Sequence, residues 1–197
     1  MQIEYKLERK RRKTISIKIV DGHVIVSAPP RTEKYEIEYF LQSKKNWIIK
    51  NLNKQRLGLS CLSKFDDNET LLFGSKTCIP DKFKNNRFAF YKSQSDYLTK
   101  RIKYISDAYG FTYSGLRFSR AQTRWGSCNG NNSITLNYAL LALPERLSDY
   151  VIIHELSHTR YHDHSTHFWK QVGELLPDYK ALRKELKDYA YVLKFIK

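Results

Sequence analysis

The segment Val151-Ile152-Ile153-His154-Glu155-Leu156-Ser157-His158 constrains this chain more than any other. Histidines spaced i and i+4 share one face of an α-helix, one turn apart. Three apolar residues precede them, so the helix is buried, as a rigid platform for ligands should be. Two imidazoles presented in this way can bind one Zn2+. Glu155 follows the first histidine. It is displaced from the best ligand position but can reach a water on the metal, which is where a general base stands.

A catalytic zinc needs a third protein ligand and an open position. The candidates are His162, His164, His167, Asp163 and Glu174. On an unbroken helix His162 sits two turns from His154, about 12 Å along the axis, too far to share an ion. His164 follows Tyr161-His162-Asp163, where the helix can end and the chain turn back. His154, His158 and His164 then have the spacing of the metzincin pattern H-E-x-x-H-x-x-G-x-x-H. Tyr161 takes the place of the glycine, so the turn must differ. His167 is the second choice, and Glu174 fits a glutamate-ligand arrangement that nothing around it supports.

The rest of the sequence bounds the setting. The chain has 197 residues, 41% of them hydrophobic, enough to fill a core in one domain or two small ones. Thirty-five basic against 20 acidic residues give a net charge of +15, which favours polyanionic partners such as nucleic acid, nucleotides or an acidic membrane surface. The run Arg9-Lys10-Arg11-Arg12-Lys13 is the candidate for phosphate contacts. The longest apolar stretch, Tyr138 to Leu143, is far below membrane-spanning length, and the N-terminus lacks the apolar region of a secretory signal. Cys61, Cys78 and Cys128 have no paired spacing and read as reduced thiols of a cytoplasmic protein. Cys128 has no histidine partner in view and is a poor nucleophile.

Alternating Ile15, Ile17 and Ile19, then Asp21-Gly22, then His23 to Ala28 predict a β-hairpin. Apolar spacing predicts one helix over about Glu33 to Lys54, followed by a connector over Gly58 to Glu69. Leu71 to Ile79 predicts a second hairpin, and Arg87 to Lys92 a strand. Leu98, Ile102, Ile105 and Tyr109 predict a helix stopped by Gly110. Leu116 to Ser119 and Ser133 to Asn137 predict strands. Pro144 opens the histidine-bearing helix, and a last helical pattern runs from Thr166, broken near Pro177. Ser165 is placed to cap that last helix, and Phe168 and Trp169 to pack on the histidine-bearing one.

Several segments taken together resemble a known family. They are Arg124-Trp125-Gly126-Ser127-Cys128, Ile134-Thr135-Leu136-Asn137, His154-Glu155-Leu156-Ser157-His158, His164-Ser165-Thr166-His167-Phe168-Trp169 and Pro177-Asp178-Tyr179. This set resembles the YgjP-like metallopeptidase family, which looks related to SprT-type and WLM-type zinc proteases. The N-terminal basic hairpin, Lys45-Asn46-Trp47-Ile48 and Leu72-Phe73-Gly74 match in order. The resemblance implies His154, His158 and His164 as zinc ligands, one Zn2+ per chain, and Glu155 as the catalytic group.

The expected fold is α+β: a zincin-like core, its metal-binding helix packed on a small antiparallel sheet, with an N-terminal hairpin and helix region. The expected domains are residues 1–95 and 96–197. Zincins commonly bind substrate as an added strand along a sheet edge, and Ile134 to Asn137 is the candidate edge. Arg124, Trp125 and Gly126 are candidates for the substrate cleft, and His162 and His167 for support behind the ligands. The expected activity is hydrolysis of a protein or peptide substrate, with zinc-activated water and Glu155 as general base. Two other readings remain in play: a metal-dependent nucleoside triphosphate pyrophosphohydrolase, and a basic nucleic-acid-binding protein with structural zinc.

Overall fold

The computed structural model describes residues 3–20, 22–63 and 65–196, with backbone alone at 54, 57, 59, 61 and 62. Asp21 of the first hairpin turn and the Cys61 thiol lie outside the described residues. Contacts divide the chain into two compact units, Met1–Leu62 and Ser63–Lys197. The boundary expected at 95/96 therefore falls earlier. Residues 63–95 join the second unit because Tyr91 is fully buried in its core with Leu98 and Ile102. The Tyr91 hydroxyl also bonds Thr70, at 2.7 Å, and donates to the Leu71 carbonyl.

In the first unit, β1 (Tyr5–Arg9), β2 (Ser16–Val20) and β3 (His23–Ala28) form a sheet in the order β1-β3-β2. The β2–β3 hairpin sets Ile17 opposite Val26 and Ile19 opposite Val24, as the alternation predicts. Strand β1 runs parallel to β3 and was not legible in the sequence, because charged residues interrupt its alternation. Helices α1 (Lys34–Ser43) and α2 (Lys45–Leu62) replace the single expected helix. Lys44 leaves helical geometry at φ −107°, ψ 8°, which splits them. The expected connector is shorter, since α2 continues through a buried Gly58. Ile37, Leu41 and Ile48 pack with Val24, Val26 and Ala28 as this unit's core.

In the second unit, β4 (Glu69–Leu72) and β5 (Ser75–Cys78) form a hairpin through Phe73 and Gly74, at φ 51° and 80°. Positive φ at both central residues is the geometry of a tight hairpin turn that favours glycine. The turn braces the segment that leads into the histidine-bearing helix. Phe73 N–H donates to the Leu141 carbonyl at 2.8 Å, and Gly74 N–H to that of Ala142 at 3.2 Å. A β-carbon at Gly74 would stand 2.9 Å from Pro144 Cγ, so a larger residue would push this contact apart.

Residues expected as a strand form α3 (Arg87–Ser93). Asn86 caps it by accepting the Ala89 N–H at 2.9 Å, and Phe90 and Tyr91 are its buried face. Helix α4 (Ser95–Tyr109) buries Leu98, Ile102 and Ile105 and stops at Gly110 in the left-handed region, φ 65°. Strands β6 (Gly115–Ser119), β7 (Gly126–Cys128) and β8 (Ser133–Asn137) form a sheet in the order β6-β8-β7. Only the β7–β8 pairing is antiparallel; β6 runs parallel to β8, so the sheet is mixed. Strand β8 is central, which corrects its expected place at the edge. The edge is β7.

Helix α5 (Glu145–Ser157) packs against β7, β8 and α4, and against α6 (Thr166–Leu175) and α7 (Tyr179–Leu186). Arg101 of α4 forks onto Asp149 of α5 at 2.7 and 2.6 Å, and Tyr97 donates to Glu145 at 2.5 Å. Bidentate guanidinium–carboxylate pairs fix orientation as well as distance. The architecture is mixed α+β, with the histidine-bearing helix sealed on several sides by other elements.

Candidate metal centre

The chain around α5 folds so that a third histidine returns to the first two. Helix α5 ends at Ser157, and the N–H groups of Arg160 and Tyr161 both close onto the Ser157 carbonyl at 3.1 Å. Asp163 accepts the Ser165 N–H at 3.1 Å, and Ser165 accepts the Phe168 N–H at 3.5 Å to begin α6. The tight turn between these caps delivers His164 over α5. Ser165 is the cap the sequence predicted.

The side-chain donors of His154, His158 and His164 lie within 4.8 Å of one another. Nε2 of His164 and Nε2 of His154 face each other at 3.2 Å. Two nitrogens bound at about 2.0–2.1 Å to one tetrahedral ion stand roughly 3.4 Å apart, so this spacing fits a shared ion. Nδ1 of His158 donates to the Tyr161 carbonyl at 2.9 Å, which fixes the tautomer and leaves Nε2 with its lone pair for the cluster. Nδ1 of His154 is buried without a hydrogen-bond partner among the described residues, and that ring is held by packing instead. Fully buried Phe168 stacks on His158 at 4.4 Å and meets His154 and His164 edge-on, both at 4.9 Å. Trp169 stacks on His164 at 5.5 Å. The residues present therefore suit a three-imidazole zinc site on an aromatic floor.

Burial sets the electrostatics. It is the main cause holding His154 down to about 3, with the neighbouring His158, His164 and Arg183 adding to it. His158 is lowered too, again mainly by burial. Both rings thus stay neutral near pH 7, the form that binds metal. Glu155 is 7% exposed, and burial pushes its carboxyl up to about 7. Burial first, and the Glu155 charge second, raise the Cys128 thiol, so it favours the unreactive protonated form.

The family description "YgjP-like, metallopeptidase domain" matches residues 13–80 and 66–189. The chain belongs to the YgjP-like metallopeptidase family. Among solved structures, the metallopeptidase zymogen of Pyrococcus abyssi, abylysin, is similar at 24% identity, over 45% of this chain and 90% of that one, with a TM-score of 0.41. No curated protein sequence matches the chain.

The other candidates of this YgjP-like chain are placed as follows. His162 and His167 are exposed and outside the triad; His167 stacks on the Tyr161 ring at 6.2 Å. Support for His158 comes from the Tyr161 carbonyl, which no residue-type pattern could announce. Glu174 is exposed beside Lys170, at 4.0 Å, and Asp163 is spent on the turn. Arg124 has an exposed side chain, whereas Trp125 is half-buried and packs on the core. Gly126 lies directly against Glu155: a β-carbon there would stand 2.7 Å from Glu155 Cγ. Asn137 was missed by the sequence reading. It is 2% exposed and donates to the carbonyls of Ala121 at 2.7 Å and Arg124 at 2.9 Å, so it ties down the loop that enters β7.

The basic run belongs to the first unit, and much of it is engaged there. Arg9 donates to the Pro29 carbonyl at 2.9 Å and that of Thr32 at 2.5 Å, Arg12 donates to Ser16 Oγ at 2.7 Å, and Lys10 pairs with Glu8 at 2.6 Å. Among the described residues, this leaves Arg11 and Lys13 as the members of the run with no such partner. No helix among the described residues is long and apolar enough to cross a membrane.

Proposed function

We propose that this chain is a zinc-dependent metallopeptidase in which His154, His158 and His164 hold one Zn2+ and Glu155 is the general base. The convergence of three imidazole donors within 4.8 Å, beside a buried carboxyl, carries this reading. Zinc held there would supply Lewis acidity toward water and toward a scissile carbonyl. Glu155 takes a proton from the attacking water and later returns it to the leaving amine. Its raised pKa suits both roles, because a group titrating near neutrality accepts and releases a proton with little driving force lost. Phe168 and Trp169 keep one side of the triad dry, which strengthens electrostatic interactions within the site.

Strand β7 is the sheet edge next to α5, and an extended peptide can add to such an edge through main-chain hydrogen bonds. Adding there would bring the peptide alongside Glu155, since Gly126 of that edge touches it.

The test is incubation of zinc-loaded protein with an unfolded protein substrate, with nucleoside triphosphates in parallel. Cleavage of peptide bonds that stops on chelation and returns with zinc is expected. Triphosphate hydrolysis with no peptide cleavage would overturn the proposal in favour of phosphoryl chemistry.

A further inference from the structure

Glu155 has an unusual setting for a group that must present a carboxylate accurately. It is buried, with its side chain laid against the β7 backbone. Packing against β7 constrains where it can lie. The contact that does so is with Gly126 of β7. A β-carbon at Gly126 would lie 2.7 Å from Glu155 Cγ, 3.0 Å from Cδ and 2.9 Å from Oε1. The carboxylate arm thus lies across the bare backbone of a glycine, in space any other residue would fill.

That backbone is not free to retreat. Gly126 is in register with Leu136 in the β7–β8 ladder. The residue before it, Trp125, has its carbonyl held by the Asn137 N–H at 2.8 Å. The Asn137 side chain donates to the carbonyls of Ala121 and Arg124 and accepts the Ala139 N–H at 3.0 Å. All the polar groups of that amide are used in pinning the loop that leads into β7. On the other side, α5 is fixed by Ile152 and Ile153, both buried. A side chain at 126 would have to displace Glu155 and not the walls around it.

We propose that Gly126, clamped by Asn137, is a positioning residue whose bare backbone seats the Glu155 side chain in its reactive orientation. The seat rests on Glu155 acting as the base, and assigns to the start of β7 a role in catalysis that involves no contact with the metal. The close approach that the glycine permits is by the Glu155 side chain.

Gly126→Ala is the test, read as kcat and KM on a peptide substrate, with zinc content and melting temperature. The expected result is a fall in kcat of roughly tenfold to a hundredfold, as for about an ångström of misplacement, with KM and zinc content near wild type. A merely structural role would lower stability and metal content without this split. Wild-type kcat in Gly126→Ala would overturn the seat. If Gly126→Ala does not fold, Asn137→Asp replaces the clamp's donor with an oxygen facing two carbonyls. Lowered kcat with zinc retained is expected there, and unchanged kcat would overturn the proposal. Glu155→Gln separates the two levels: an active Glu155→Gln protein refutes Glu155 as base, whereas an inactive one beside an undiminished Gly126→Ala refutes the seat alone.

Discussion

Glu155→Gln is expected to lower peptide hydrolysis by roughly 10²–10⁴-fold, the range that a positioned general base contributes, while the protein stays folded and keeps its zinc. The amide is nearly isosteric, so it fits against Gly126 as the carboxylate does. It also removes a group whose charged form burial disfavours, so no loss of folding stability above neutral pH accompanies it. The wild-type pH profile should report the same group. Burial raises the Glu155 carboxyl from 4.5 to about 7, and a nearby cation favours its charged form. The acidic limb of kcat/KM should therefore lie between those values, with activity lost as the pH falls through it. Wild-type turnover by Glu155→Gln would remove the base from the account, and so would a profile flat across that window.

His164→Ala is expected to lose the metal. His154 and His158 remain one turn apart on α5 and keep two of three donors. Affinity should fall by more than the roughly 10–100-fold seen on removing a group behind a ligand. The fold should survive, because His164 is exposed and the core beneath it is Phe168, buried independently. Metal content after dialysis, with melting temperature as control, is the measurement. Unchanged zinc would move the third ligand elsewhere, and His167 and Glu174 would be the next candidates despite lying outside the cluster.

The elements carrying the site were legible because their signals are local. The i, i+4 histidines, Gly110 as a stop and Ser165 as a cap each act within one or two turns of chain, and the structure contains them as expected. What escaped was set by distant partners. Arg87 to Lys92 looks like a strand until Asn86 caps it and Tyr91 is drawn into a core with Thr70 and Leu71. Strand β1 exists because β3 offers it a parallel edge, which its own charged sequence does not advertise. In the site, residue type pointed to the triad and Glu155, but not to the Tyr161 carbonyl or to Asn137, whose contribution is the placement of main chain. Gly126, a candidate for the substrate cleft, lies with its bare backbone against Glu155, a contact between distant segments that residue type alone does not announce.

The most direct measurement of the central claim is X-ray absorption at the zinc edge of the loaded wild-type protein. Three imidazole nitrogens at about 2.0–2.1 Å and one further light atom at the open position are expected, with no sulfur. A sulfur shell at about 2.3 Å, or only two imidazoles, would contradict it, because His154, His158 and His164 would then not together form the site.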